Sequence, residues 1–190
     1  MEVHSSIGLI LLGKLSASNF ESNTIDMSST SNRWGLKQSI TLLRILIGWH
    51  FLYEGIVKVY NPDWTSFGYL ATAQGPLKPV FQALTSEAVL PWVDTLNWAA
   101  LVFVGITLIL GIFERAGALV GVGLLLLYYL AHPSWPGMAQ INTEGSYWIV
   151  NKNLIEAVAC MVLFYHPTGN VFGLSRIFSK KKATSKTELS

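Results

Sequence analysis

The sequence contains very little cysteine and little charge. Its 190 residues include one cysteine, Cys160, so a single chain has no disulfide, no CxxC redox pair and no cysteine zinc site. Charged residues make up 13% of the chain and the formal net charge is +2, which argues against nucleic acid as a partner. The chain also lacks a phosphate-binding loop, a nucleophile elbow and a dinucleotide fingerprint. Chemistry with soluble nucleotide cofactors is therefore not encoded.

The histidines give no metal-site signal either. His4, His50, His132 and His166 form no HxxxH or HxxE pattern, which is the spacing that would place ligands on one face of a helix. The sequence therefore predicts no metal site, no haem and no covalently bound cofactor.

What the sequence does have is apolar residues, which make up 51% of it and gather in four long runs. A helix crosses the hydrocarbon core of a bilayer, about 30 Å thick, with roughly 20 mostly apolar residues. The runs predict transmembrane helices over residues 36–60, 93–113, 116–131 and 148–165, each ended by a charged or proline-containing stop. The predicted fold is all-α, an integral membrane four-helix bundle.

Basic residues fall mainly on one side of this four-crossing path. Those on that side are Arg33, Lys37, Arg115, Arg176, Lys180, Lys181, Lys182 and Lys186. Because Lys and Arg are retained in the cytoplasm, we expect both termini inside and a multi-pass protein of the cell inner (plasma) membrane. The longer connections, residues 61–92 and 132–147, then face outward and carry interfacial aromatic residues. Helical spacing in residues 77–93 predicts a short helix at the membrane surface.

Composition divides the chain into three parts. Residues 1–32 are rich in Ser, Asn and Thr and predict a disordered lead-in without a signal peptide, with Met27 as an alternative start. Residues 33–178 hold the transmembrane domain. Residues 179–190 form a basic cytoplasmic tail that fixes the topology.

The first predicted helix carries four ionisable residues on one side. They are, in order, Arg44, His50, Glu54 and Lys58. At 100° per residue they fall on a stripe about 120° wide. A charge at mid-bilayer costs about 2.5–3.5 kcal/mol, so this stripe cannot face lipid. It has to face other helices, pair, or reach water.

The last predicted helix supplies partners at matching depths. The sequence predicts an outward-facing polar pocket between the first and last helices that joins Glu54, Lys58, Lys152 and Glu156, with Asn153 beside them. Other polar residues expected at its rim are Asn151, Asp94 and Asn97.

Two interpretations of this cluster stay open. It is either an ion-pair clasp between helices or a site for a quinone ring, a polar head group, an anion or a transferring proton. His50 is correspondingly either a satisfied contact between helices or a proton relay and hydrogen-bond donor to a quinone carbonyl. Arg44 lies nearer the cytoplasmic half, where it could instead capture backbone carbonyls. Gly117 and Gly121 form a GxxxG motif, which favours packing within the chain or a homodimer contact.

Three sets of residues form a further pattern. They are Leu43-Arg44-Ile45 with Gly48, Phe51, Glu54-Gly55 and Lys58; the turn from Gly111 to Arg115 with Gly117-Ala118; and Asn153-Leu154. Together, over residues 36–178, they resemble the DoxX-like membrane proteins, which include the DoxD-type subunits of thiosulfate:quinone oxidoreductases. The resemblance implies a four-helix membrane protein that acts in some members within a quinone-linked complex oxidising sulfur compounds, and in others beside redox-stress proteins.

On this basis we expect a subunit of a quinone-linked redox complex with a second redox subunit as partner. His50 and Glu54 would be its catalytic residues and handle the protons of a quinone. The residues expected to bind the ligand are Arg44, Lys58, Lys152, Asn153 and Glu156. The alternative is a non-catalytic scaffold or small-solute permeation subunit whose charged cluster is a structural clasp.

Overall fold

The structure is a computed structural model that describes residues 35–138 and 147–176. Its helices are α1 Gly35–Tyr60, α2 Phe67–Ala71, α3 Lys78–Ala83, α4 Leu90–Leu110, α5 Glu114–Ala131, α6 Lys152–Tyr165 and α7 Gly169–Phe172. The described part of the chain is all-helical apart from an isolated bridge between Tyr147 and Val150. The predicted lead-in, the alternative start at Met27 and the basic tail lie outside the described residues.

Three helices, α1, α4 and α5, are long and apolar enough to cross a membrane. This finding confirms three of the four expected spans and makes the chain a multi-pass membrane protein. The expected fourth span is represented by α6, which has 14 residues and is therefore about 21 Å long. It begins at Lys152 because the Asn151 side chain accepts the backbone N–H of Leu154 at 3.0 Å and caps the helix. A fourth crossing stays a prediction.

Contacts divide the chain into two units, residues 1–39 and residues 40–190. The described part of the first unit is the opening turn of α1, where Ser39 Oγ donates to the Gly35 carbonyl at 3.0 Å. Every contact discussed below lies within the second unit.

Gly121 of α5 marks the place where four helices share a core. A Cβ built on Gly121 would lie 3.4 Å from Cys160 Sγ of α6, 3.4 Å from a Val104 methyl of α4 and 3.5 Å from the Phe51 ring of α1. Gly117, one turn earlier, packs against Thr107 of α4. Both glycines of the GxxxG motif therefore pack inside the chain, as the intramolecular alternative expects.

Glycines also bring α1 and α4 into backbone contact. A Cβ on Gly105 of α4 would lie 2.6 Å from the backbone nitrogen and 2.7 Å from the Cα of Leu52 in α1. Gly48 and Gly55 of α1 face Ile109 and Val102 of α4 in the same way. Because Gly48 meets the later residue and Gly55 the earlier one, the two helices run antiparallel.

The connection between α1 and α4 folds into a small second core. Leu70, Ala73 and Phe81 pack with Ala131 at the end of α5, and Gln74 N–H donates to the Ala131 carbonyl at 2.8 Å. The short helix expected within residues 77–93 is present as α3. This connection therefore covers the end of α5.

The backbone contact at Gly105 gives a test of the packing. Gly105→Ala should destabilise the protein by about 1–3 kcal/mol because the methyl group meets the α1 backbone, which cannot move as a side chain can. The measurement is reversible unfolding of the purified protein in bicelles. Gly123→Ala is the matched control: nothing lies within 4 Å of its added Cβ, so stability should hold or rise by up to about 1 kcal/mol. Equal losses in both variants would contradict the close approach.

Candidate functional site

The ionisable residues of α1 go to two separate places. Arg44 lies about 15 Å along the helix axis from Glu54, ten residues later. Arg44 contacts the first residue of α5 and the segment after α6. The other three residues, His50, Glu54 and Lys58, lie toward the end where α6 begins. The predicted stripe is therefore two clusters, which we call the Arg44 cluster and the His50 cluster.

The Arg44 cluster is closed to solvent. The Arg44 side chain is 1% exposed, and its Nη1 lies 3.5 Å from Glu114 Oε2, a carboxylate that is 5% exposed. Arg44 also donates to Thr168 Oγ1 at 3.1 Å and, through Nη2, to the Phe172 carbonyl at 3.0 Å. A buried charge pair with further hydrogen bonds on both partners is stable where an isolated charge would not be.

Backbone groups complete the surroundings of Glu114. Its Oε2 accepts the N–H of Thr168 at 3.0 Å and that of Gly169 at 2.8 Å. Gly111, at φ +65°, leaves space for the Arg44 guanidinium, because a Cβ on residue 111 would lie 2.7 Å from Arg44 Nη1. The cluster therefore ties α1, the α4–α5 turn and the residues after α6 together.

The structure thus does not place Arg44 with the other residues expected to bind a ligand. Its bond to the Phe172 carbonyl matches the alternative in which Arg44 captures carbonyls. The sequence analysis did not identify Glu114 as the partner of Arg44. A signal was present in the sequence: Glu114 and Arg44 lie at the same end of the predicted fold, and a buried arginine needs an opposite charge.

The His50 cluster brings α1 and α6 together. His50 Nδ1 lies 2.7 Å from Glu156 Oε1, with the His50 side chain 38% and the Glu156 side chain 14% exposed. Glu54 Oε2 is bonded to Lys58 Nζ at 2.6 Å on the same helix. Lys152 is close enough to act electrostatically on both His50 and Glu54. Five of the residues singled out in the sequence therefore meet here.

Lys58 and Asn153 differ in how they join this site. Lys58 Nζ also donates to the Glu54 carbonyl at 3.2 Å and lies 5.4 Å from the centroid of the Trp64 ring, a cation–π contact. Asn153 is half-buried, and its side chain makes no hydrogen bond to another residue in the described ranges. Its neighbour Asn151 is the buried cap of α6.

Tyr128 of α5 is a member of the site that sequence reasoning missed. Its hydroxyl donates to Asn97 Oδ1 of α4, and Glu54 acts on it electrostatically. A tyrosine within an apolar run gives no sequence signal that separates a polar role from an apolar one. Of the two α4 residues expected at the rim, Asn97 lies here, whereas Asp94 accepts the backbone N–H of Ser66 at 2.9 Å.

A second layer of aromatic residues supports Tyr128. Tyr69 of α2 donates its hydroxyl to the Tyr128 carbonyl at 3.0 Å, and burial raises the pKa of the Tyr69 phenol, so the hydroxyl keeps its proton at neutral pH. His132 packs on the Tyr69 ring with centroids 4.3 Å apart, and its Nε2 lies 2.9 Å from the Tyr69 carbonyl. The covering connection is thus bonded to the wall of the His50 cluster.

Neither side-chain geometry nor comparison identifies a known site. Among residues 35–138 and 147–176, no group of three or more His, Cys, Asp or Glu side chains could hold a metal ion. Comparison with protein families, with curated proteins and with solved structures finds no match for this chain. The resemblance to DoxX-like proteins stays a prediction that rests on the motifs.

The Arg44 cluster predicts a large loss on removal of one partner. Arg44→Met should destabilise the protein by about 3–5 kcal/mol, because it leaves the Glu114 carboxylate buried without its cation. Arg115→Gln, an exposed neighbour of the same charge, should change stability by no more than about 0.5 kcal/mol. Unfolding in bicelles measures both. An Arg44→Met protein as stable as the Arg115→Gln control would show that the pair does not form.

The two ion pairs of the His50 cluster should differ in strength. A double-mutant cycle with His50→Phe and Glu156→Met should give a coupling of about 0.5–3 kcal/mol, because this pair is partly buried and joins two helices. The cycle with Glu54→Gln and Lys58→Met should give about 0.3–0.5 kcal/mol, since this pair is an i,i+4 contact within one helix. The reverse order would contradict the pairing described.

Proposed function

We propose that the chain crosses the inner (plasma) membrane four times, with both termini in the cytoplasm. Support for a fourth crossing comes from α6, which shares the apolar core with the three longer helices through Cys160 and is preceded by the exposed apolar residues 147–150. Support for the orientation comes from Arg115 and Arg176, which follow the turn at Glu114 and the helix α7 at the same end of the chain path.

We infer further that the His50 cluster binds the ring of a quinone and handles its protons, as part of a membrane subunit of a redox complex. The observation that carries this proposal is the 2.7 Å contact between His50 and Glu156, which joins two predominantly apolar helices. Ionisable residues at such depth are costly where apolar packing would serve, and they commonly mark proton or substrate paths. The motif resemblance adds an argument by analogy.

The residues present fit a quinone head group. Such a ring has apolar faces and a carbonyl acceptor at each end, so it needs apolar walls and two donors. His50 Nδ1 faces Glu156, its Nε2 makes no hydrogen bond to any residue in the described ranges, and the His50 side chain is 38% exposed. The Lys58 ammonium supplies a second donor.

Each protein group then has a definite task. A bound quinone takes up two electrons and two protons when it is reduced. Glu156 accepts the Nδ1 hydrogen of His50, which orients the ring and stabilises its protonated form, so that Nε2–H can donate to a carbonyl and release a proton. Glu54, which is held by Lys58 and has a side chain 46% exposed, can take up a proton from water to restore His50. The electrons come from a sulfur compound such as thiosulfate, oxidised by a second redox subunit.

One observation favours the alternative of a non-catalytic scaffold or permeation subunit. Both Glu54 and Glu156 already have a cationic or histidine partner within hydrogen-bond distance, which is what an ion-pair clasp requires. Under this alternative the His50 cluster holds helices together, as the Arg44 cluster does. Loss of the His50–Glu156 pair or of the Glu54–Lys58 pair then lowers stability and changes nothing else.

Quinone binding and turnover separate the two functions. The protein in nanodiscs should bind a short-chain quinone, and Glu156→Gln should weaken binding about tenfold, close to the 1.4 kcal/mol expected for losing the charge on a hydrogen bond. Membranes containing the natural complex should show thiosulfate-dependent quinone reduction that falls in parallel. Glu87→Gln, exposed and distant in the chain, is the control. The clasp would be established instead by two results together. The wild-type protein would neither bind nor reduce a quinone, and the variants would differ from it only in a lower melting temperature.

A further inference from the structure

Two residues of the described chain have a left-handed backbone without being glycine. They are Phe113, at φ 52°, and Trp148, at φ 60°. This conformation is unfavourable for any residue with a Cβ, and it persists only where the surroundings enforce it or function uses it. Both residues are large and aromatic, and their exposed fractions are nearly equal, 76% and 77%. Packing within the chain does not account for the exposure of both rings.

Trp148 lies at the tip of a turn that the fold holds in place. Tyr147 N–H donates to the Val150 carbonyl at 2.7 Å and Val150 N–H returns the bond at 3.1 Å, so Trp148 and Ile149 form a two-residue hairpin loop. Glycine is the favoured residue where such a loop has a positive φ. The Tyr129 hydroxyl of α5 donates to the Ile149 carbonyl at 2.7 Å and fixes the turn to the last turn of that helix.

Phe113 occupies the corresponding place at the other end of α5. It directly precedes Glu114, whose side chain is buried in the Arg44 cluster, and its carbonyl accepts the N–H of Gly117 in the first turn of the helix. The left-handed residue thus lets the chain turn Glu114 inward while the Phe113 ring stays outside. Burial of the charge at one residue and exposure of the ring at the next are linked.

The length of α5 relates the two residues to a bilayer. Its 18 residues rise about 27 Å, close to the roughly 30 Å thickness of a hydrocarbon core. Phe113 lies before its first residue, and the Trp148 turn is bonded to its last turn. Tyr60 and Trp92, also highly exposed, end α1 and begin α4 at the end where Trp148 lies. The exposed rings therefore extend the apolar surface of the spanning helices to both ends of those helices.

We propose that Phe113 and Trp148 are a matched pair of membrane anchors, one in each interface, and that the occupant of the surface around both rings is lipid at the boundary between head groups and acyl chains. Aromatic side chains are enriched at this boundary. The pair fixes the depth of α5, and through the Trp148 turn it fixes the depth at which α6 begins and holds Glu156. This inference does not depend on quinone binding.

Depth measurements test the location of both rings. Cys160→Ala removes the single thiol, and nitroxide labels are then placed by Phe113→Cys and Trp148→Cys in protein reconstituted into phosphatidylcholine vesicles. Leu46→Cys, exposed near the middle of α1, gives the lipid reference, and Glu87→Cys gives the water reference. Labels at 113 and 148 should be accessible to oxygen and to a water-soluble nickel chelate at levels between the two references.

Either of two results would overturn the location. Labels as accessible to nickel as the Glu87→Cys label would place the rings in water. Labels shielded from both reagents would place them against a second copy or another protein instead of lipid.

A thickness series tests what the rings do. The melting temperature of the wild-type protein should pass through a maximum as the acyl chains of the phosphatidylcholine vesicles are lengthened. Phe113→Ser and Trp148→Ser should each lose this optimum or broaden it. Tyr53→Ser removes an exposed aromatic residue away from the helix ends and should keep the optimum. If the three variants respond alike, Phe113 and Trp148 have no anchoring role.

Discussion

A charge surrounded by apolar helices has to find an opposite charge or a set of hydrogen-bonding groups, and this constraint decides how α1 is placed. Arg44 satisfies it with Glu114 and the residues after α6, and His50 satisfies it with Glu156. The two residues lie six positions apart on α1, about 9 Å along its axis, and their partners belong to α5 and α6. The glycines between α1 and α4 then allow the backbones to approach closely enough for both contacts to form at once.

The two clusters solve the same problem in different ways. The Arg44 cluster is enclosed. Its carboxylate accepts backbone N–H groups, and both Nη atoms of Arg44 have acceptors, which suits a fixed joint. The His50 cluster is open on one side and combines carboxylates, an imidazole and two ammonium groups whose charges nearly cancel. Such a set can gain or lose a proton without leaving a large uncompensated charge. The difference in exposure is the physical basis for assigning binding to one cluster and support to the other.

The sequence was sufficient for the three long spans, because length and hydropathy report directly on the requirement of the bilayer. It was insufficient for the start of α6, since the apolar residues before Asn151 look like a continuation of the helix and only the capping bond shows where it begins. The helical wheel placed the four ionisable residues of α1 on one stripe. It gave no partner for Arg44 and did not single out Glu156 as the partner of His50. Tyr128 carried no sequence signal, since its hydroxyl matters only after Asn97 is placed beside it.

The position of Cys160 gives the fold a chemical property of its own. Its thiol is fully buried where α1, α4, α5 and α6 meet, next to Gly121. A thiol reagent can reach it only after those helices have separated, so the rate of alkylation measures how often the core opens. The rate of Cys160 alkylation therefore reports core opening without an added label. It should respond to bilayer composition, to a bound ligand and to substitutions.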